Sequence, residues 1–171
     1  MAVAPAISVE EYLKTTYRPD CDYIDGEILE RNLGEFEHGS TQAEIVAYLR
    51  LHYPRLRWRV LTETRVQTSP TRFRVPDVCV LEEGAPREQI IRTPPALCIE
   101  ILSPEDRTGK TMRRLDDYFQ MGVPVCWVID PLDRRGWIVS PGQLTAVTEG
   151  VLRAGDLEVP LTEVLPPAGQ Q

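Results

Sequence analysis

Two stretches near the middle of the chain have the hydrophobic pattern of β-strands. The first runs from Phe73 to Leu81 and contains Asp77, and the second runs from Ala96 to Leu102 and is apolar everywhere except at Glu100. A continuous apolar run such as the second is typical of a strand buried on both faces. An ionised carboxylate there needs a cation beside it, or it takes up a proton instead. Two such carboxylates on neighbouring strands would make a site for a divalent metal ion.

The rest of the pattern predicts helices that alternate with short strands. A capping box at Ser8–Glu11 predicts the start of a helix, and Asp25–Gly26 predicts a hairpin turn. A later helix has Ser103 or Asp106 as its predicted N-cap and Gly122 as its predicted C-cap. The predicted elements are a helix at 9–15, a hairpin at 23–29, a helix at 36–53, a strand at 58–67 paired with the strand at 73–81, one helical turn near 87–91, a strand at 96–102, a helix at 105–121, a strand at 123–129 and short β pieces after 136.

This order of elements predicts an α/β (α+β) fold, a mixed β-sheet flanked by helices. The strand–helix–strand unit at 96–129 should form a parallel pair with a right-handed crossover. The strands within 58–81 are joined by a short turn and should be antiparallel. The length fits one domain over residues 1–165, and residues 166–171 are expected to form a flexible tail.

Charge narrows the classes of function. With 19 basic and 26 acidic residues, the net charge of −7 argues against a uniformly basic nucleic-acid-binding surface. Seven arginines between positions 50 and 74 could still form a local basic patch, or an ordinary solvated face.

The cysteines and the apolar runs indicate the compartment. Cys79, Cys98 and Cys126 lie in strand-like apolar runs, and with Cys21 they show no CxxC spacing, so buried free thiols are expected and a zinc site is not. The first residues do not have the pattern of a secretory signal, and no apolar run approaches the ~20 residues of a membrane span. We therefore expect a cytoplasmic protein without a membrane partner.

Several segments together resemble a known family. Pro76–Asp77 followed by Glu100 is similar to the PD-(D/E)XK nuclease pattern. The wider amino-acid sequence, over residues 8–165, resembles the Uma two family of restriction-endonuclease-like proteins. The segments that carry this resemblance, in order, are YIDGEIL, EHGSTQAEI, RVPDVCVL, PPALCIEILSPEDR and DDYFQMGVPVCWVIDP. The resemblance implies the restriction-endonuclease-like fold and a divalent-metal phosphodiesterase site.

The resemblance also implies which groups hold the metal. Asp77, Glu100 and the backbone carbonyl of Ile101 would bind Mg²⁺ or Mn²⁺, which accept oxygen ligands and keep several waters. Pairing of Asp77 with Arg72 or Arg74 is the competing interpretation. The metal prediction fails if the two carboxyl groups point apart, or if each is neutralised by its own guanidinium with no room for an ion.

Further residues match family positions beside the site. Glu27 could bind metal through water, or be a solvated hairpin residue; His38 could orient a water or a phosphate, or be an exposed helix start. The lysine of the (D/E)XK pattern is replaced by Leu102. Lys110 and Arg114, one turn apart on the following helix, are the candidates for its role, or ordinary surface charges.

The expected function is that of an endonuclease acting on DNA. A catalytically weak or inactive nuclease-fold binding protein is the first alternative, favoured by the acidic balance and the missing lysine. A hydrolase of smaller phosphate esters is the second. A homodimer would suit the cutting of both strands of a duplex, by analogy with nucleases in general.

Overall fold

The computed structural model of the protein describes residues 6–32, 34–148 and 150–167. Three β-sheets and the helices packed on them make up this part of the chain. In chain order the elements are α1 Val9–Lys14, β1 Asp22–Ile24, β2 Glu27–Leu29, α2 Phe36–His52, a 3₁₀ turn Pro54–Leu56, β3 Val60–Thr62, β4 Val66–Ser69, β5 Arg72–Arg74, β6 Val78–Val80, β7 Leu97–Ile101, α3 Thr108–Met121, β8 Cys126–Asp130, β9 Arg135–Ser140, β10 Gln143–Thr148, β11 Val151–Ala154, β12 Leu157–Pro160 and α4 Leu161–Val164.

The central sheet has six strands in the order β10-β9-β8-β7-β6-β3. Strands β7 and β8 are parallel and are joined through α3, whereas the other neighbours are antiparallel. The predicted mixed sheet with flanking helices is therefore confirmed, and so is the parallel pair.

The long hairpin predicted over residues 58–81 is one bent hairpin shared by two sheets. Its outer strands β3 and β6 pair in the central sheet, while β4 and β5 pair in a second sheet of order β2-β1-β5-β4. The chain bends at Glu63, whose φ is +48°, and opposite it at Pro76–Asp77, where proline has no N–H for a ladder. The prediction of two unbroken strands was wrong, and Asp77 lies at the bend.

The predicted helices form, with different starts and caps in places. Ser8 caps α1 by accepting from the Glu11 N–H, and Gly122 ends α3 in the left-handed region at φ +110°. The helix α3 begins at 108 and not at 105, because Asp106 accepts from the Ser103 N–H in the turn before it. The helical turn predicted near 87–91 is absent from this described segment, where Ile91 forms a β-bridge with Val66.

The central sheet is buried on both faces, as its continuous apolar strands predicted. Alternate residues of the strands pack on one side against α2, α4 and the β11–β12 hairpin, and on the other against Leu115 and Tyr118 of α3. Cys79, Cys98 and Cys126 are free and buried, as expected, and Cys21 is free and buried as well. None of the described helices is long and apolar enough to cross a membrane. Most of the predicted tail, residues 168–171, lies outside the described residues.

Candidate active site

The register of β6 and β7 brings the two predicted carboxylates together. Val78 is opposite Ile99, so the next position places Asp77 level with Glu100 across the antiparallel pair. Alternation along each strand gives both side chains the same face as Cys79 and Cys98, the face that α3 covers. Asp77 is 3% exposed and Glu100 is 2% exposed, so neither charge is stabilised by bulk water.

Three polar groups contact the carboxylate of Asp77, and a fourth contacts its backbone. Its Oδ1 accepts from Arg31 Nη2 at 2.5 Å and lies 3.3 Å from His38 Nε2, and its Oδ2 accepts from the Ile101 N–H at 2.7 Å. Gln42 donates to the backbone carbonyl of Asp77. Burial alone would raise the pKa of Asp77, but the His38 hydrogen bond and the Arg31 charge outweigh it, and the net pKa is lowered. Asp77 is therefore ionised at neutral pH.

The carboxylate of Glu100 is held from α3. Arg114 Nη1 donates to Oε2 at 2.5 Å, and the Tyr118 hydroxyl donates to Oε1 at 2.6 Å. Burial raises the pKa of Glu100 to about 7; Arg114 opposes this shift and the charge of Asp77 adds to it. Glu100 is thus a carboxyl group that exchanges its proton near neutral pH.

A buried ionic network extends from Glu100 into the second sheet. Asp22 Oδ2 accepts from Arg74 Nη1 at 2.9 Å and lies 3.2 Å from Arg114 Nη2. Arg74 also donates to Asp117 of α3 at 2.7 Å. Arg74 is therefore committed to other acids, and so is Arg72, which pairs with Asp25 and Asp117. The alternative that pairs Asp77 with Arg72 or Arg74 is wrong. Asp117 is itself buried, at 3% exposed.

The other predicted residues divide into two groups. His38, at the start of α2, contacts Asp77, and its buried Nδ1 has no hydrogen-bond partner among the described residues. Arg114 contacts Glu100, whereas Lys110 is exposed and forms no ion pair with a described residue. Glu27 is also exposed, on β2, and the described contacts do not bring it to Asp77.

Sequence reasoning missed three groups that complete the site. Arg31 and Asp22 flank a hairpin whose pattern indicates only a turn, and nothing in that pattern shows that they turn inward. Tyr118 lies in the core, and its hydroxyl also hydrogen-bonds Glu100. A buried tyrosine needs a partner for its hydroxyl, and its spacing of four from Arg114 was the available signal.

The donor set fits a hard divalent ion. Two facing carboxylates offer the oxygen ligands that Mg²⁺ prefers. The Ile101 N–H donates to Asp77 Oδ2, and the role of the Ile101 carbonyl as a ligand stays a prediction. The described residues contain no cluster of three or more His, Cys, Asp or Glu side chains suited to a metal, so water would complete the coordination. Each carboxylate is nevertheless paired with its own guanidinium, Asp77 with Arg31 and Glu100 with Arg114, which is the pairing named above as contrary to the metal prediction. An ion could therefore bind Asp77 only by displacing Arg31.

Comparison with protein families decides the classification. Residues 9–168 match the family described as Uma2, putative restriction endonuclease. The chain belongs to the Uma2 family. The resemblance seen in the sequence is thereby confirmed, and a nuclease-like function is the function that Uma2 membership supports.

Comparison with solved structures supports the fold of this Uma2 protein. It is similar to the crystal structure of a putative nuclease of the family DUF820 from Anabaena variabilis ATCC 29413, with a TM-score of 0.77 and 24% sequence identity. The match covers 92% of this chain and 97% of that one. At this identity the likeness shows the fold. No curated protein matches the chain.

Proposed function

We propose that this Uma2 protein is a divalent-metal-dependent endonuclease that hydrolyses phosphodiester bonds in DNA. The observation that carries the proposal is the pair of almost fully buried carboxylates, Asp77 and Glu100, level with each other on β6 and β7. Burying two acids side by side is costly unless cations join them. Membership of the Uma2 family supports phosphodiester hydrolysis as the function that this costly buried pair of acids would serve.

Asp77, Glu100 and the Ile101 carbonyl would hold Mg²⁺ or Mn²⁺. A bound ion of this kind lowers the pKa of water and neutralises charge on a phosphate. Asp77 is suited to hold a cation because its lowered pKa keeps it ionised. Glu27 is exposed on β2, and its contact with the metal, through water, stays a prediction.

The chain supplies positive charge for the phosphate through side chains around the pair. Arg114 is fixed by Glu100 and Asp22, and since a guanidinium stays protonated, its role is to stabilise negative charge and not to act as a base. His38 has a buried Nδ1 free of described partners, which suits it to hold a water or a phosphate oxygen. Burial lowers the pKa of His38, but the Asp77 hydrogen bond and charge outweigh this, and its net pKa is raised.

A nicking assay on supercoiled plasmid DNA with Mn²⁺ or Mg²⁺ tests the proposal. We expect wild type to nick the plasmid, and Asp77→Ala and Glu100→Ala to lose more than about 100-fold in rate, since loss of a metal ligand should exceed the effect of its outer partners. Asp130→Asn is the control, because Asp130 only caps the turn after β8. A retained rate in either alanine variant would contradict the assignment of ligands.

One observation favours a second candidate, a nuclease-fold protein that binds without turnover. Both carboxylates have guanidinium partners, and position 102 has leucine where the (D/E)XK pattern has lysine. In that case wild type and variants are equally inert with every divalent ion. Cleavage of short nucleotides alone would instead indicate a phosphate-ester hydrolase, and linear product from paired cuts would favour the predicted homodimer.

A further inference from the structure

Arg31 occupies the position beside Asp77 that a cation would take. Its Nη2 lies 2.5 Å from Asp77 Oδ1, and its side chain is 8% exposed. Its Nη1 lies 4.0 Å from Glu63 Oε1, and the Glu63 side chain is 49% exposed. The guanidinium therefore lies between a buried carboxylate and a solvent-facing one. Glu63 is also the residue at which the hairpin bends, in the left-handed region.

Arg31 is the most readily exchanged partner of Asp77. The Ile101 N–H belongs to β7 and His38 belongs to α2, so both are fixed by regular structure. Arg31 lies two residues after β2, where residues 30–32 are in neither helix nor strand. Its Nη1 is already 4.0 Å from Glu63, so a shift towards Glu63 is short and involves no residue of a strand ladder other than Arg31's acceptors.

A divalent ion and a guanidinium compete for the same oxygen. Both are cations, so they repel each other at close range, and the effect is strong where water is excluded. A guanidinium released from Asp77 presents the forked donors that match a phosphate. In contrast, Arg114 is shared between Glu100 and Asp22, so its donors are committed on two sides.

We propose that Arg31 is an internal competitor of the metal ion that becomes a phosphate-binding residue once it is displaced. The guanidinium neutralises Asp77 in the metal-free protein, moves towards Glu63 as the ion enters, and then binds the phosphate of the substrate. This inference rests on the proposed metal-dependent function and names the group that links metal binding to DNA binding.

Calorimetric titration with Mn²⁺ at constant pH tests the competition. We expect Arg31→Gln to bind Mn²⁺ about tenfold more tightly than wild type, because Asp77 loses its competing cation. Arg65→Gln is the matched control: Arg65 is also a largely buried arginine, paired with Asp20 at 2.7 Å, and lies outside the site. Its Mn²⁺ affinity should equal that of wild type. Equal Mn²⁺ affinities in Arg31→Gln and wild type would overturn the inference.

Fluorescence anisotropy on a short DNA duplex tests the second role. With saturating Mn²⁺, read before cleavage, Arg31→Gln should bind the duplex about tenfold more weakly than wild type. A gain in metal affinity with a loss in DNA affinity is not expected from a structural defect, which would weaken both. Unchanged DNA affinity in this variant would overturn the phosphate-binding role.

Arg31→Lys keeps the inference testable if the glutamine variant does not fold. Lysine retains a cation beside Asp77 but lacks the fork, so Mn²⁺ affinity should stay near that of wild type while DNA affinity falls. Tighter Mn²⁺ binding by Arg31→Lys would contradict competition by charge. If neither wild type nor Arg31→Gln binds Mn²⁺, the proposed function fails; if wild type and Arg31→Gln bind it equally, only the inference about Arg31 fails.

Discussion

At the residue scale, Glu100 connects the site to the stability of the fold. Burial raises the pKa of its carboxyl from 4.5 to about 7, so the folded protein holds a proton there that the unfolded chain releases. Its contribution to stability is full below about pH 4.5 and is lost as the pH rises towards 7. Asp77 has the opposite effect in a lower pH range. Its lowered pKa adds stability above about pH 3.8, and this stability is lost in stronger acid.

We expect the free energy of unfolding of metal-free protein to fall by about 2 kcal/mol between pH 5 and pH 6.5 through Glu100. Urea unfolding with a chelator present measures this fall in the free energy of unfolding. The interval lies below the pH range in which His38, with its raised pKa, would contribute. Glu100→Gln should remove this slope, and Glu27→Gln, at an exposed position, should keep it. A slope that survives in Glu100→Gln would show that other groups cause it.

The sequence revealed the two acids of the site and Arg114 as a candidate beside them, but not the counter-ion of Asp77. Asp77 and Glu100 interrupt apolar strands, so their presence demands an explanation at the level of sequence alone. Arg31 lies in a connection without periodicity, and only the folded chain shows that it reaches Asp77 across 46 positions. Asp22 is similar, since its partners Arg74 and Arg114 come from β5 and α3.

At the scale of elements, α3 joins the two sheets through polar contacts. Arg114, Asp117 and Tyr118 follow one another at helical spacing, and Asp117 accepts from Arg72 at 2.8 Å and from Arg74 at 2.7 Å. These contacts attach α3 to β5, while its apolar residue Leu115 packs on the central sheet. One helix thus sets the position of Glu100's partners relative to both sheets.

Asp117→Asn should therefore destabilise the protein by about 3 to 5 kcal/mol, because it leaves the buried guanidinium of Arg74 incompletely neutralised. Asp116→Asn on the same helix is the control; Asp116 is exposed, and its substitution should change stability by less than about 0.5 kcal/mol. Urea unfolding measures both. Equal effects of the two substitutions would mean that the buried pair contributes little.

Element types were predicted well where periodicity is strong, and poorly where the chain changes sheets. The helix α2 buries Ile45 and Leu49 one turn apart, the spacing from which it was predicted. The bends at Glu63 and Asp77 have no such signal, because β-strand alternation continues across them. The proline before Asp77 was the available indication of a break.

At the scale of the whole molecule, most of the arginines between positions 50 and 74 stabilise the fold through ion pairs. Arg65 pairs with Asp20, Arg72 and Arg74 pair with buried or facing acids, and Arg55 pairs with Asp156. Four of the seven arginines are thereby neutralised, whereas Arg50, Arg57 and Arg59 form no ion pair with a described residue. The basic patch that the sequence left open is reduced to these three side chains, so DNA binding in the absence of metal should be weak.

The C-terminal hairpin β11–β12 and α4 complete the core on the face of the sheet opposite α3. Leu152, Val159 and Leu161 are fully buried there, and Trp127 of β8 donates from Nε1 to the Arg153 carbonyl at 3.1 Å. Without this segment, one face of the central sheet would expose its apolar residues to water. The segment should therefore belong to the same cooperative unit as the rest of the domain predicted over 1–165.

A chain ending at residue 149 should accordingly lose cooperative unfolding, whereas a chain ending at residue 167 should unfold like the full protein. Tryptophan fluorescence, which includes the buried Trp127, and far-UV circular dichroism should give coincident urea transitions for the full chain. Fluorescence that changes before circular dichroism would mean that the C-terminal hairpin detaches first. A cooperative transition in the shorter chain would show that β7 and β8, and with them the pair Asp77 and Glu100, are stable without it.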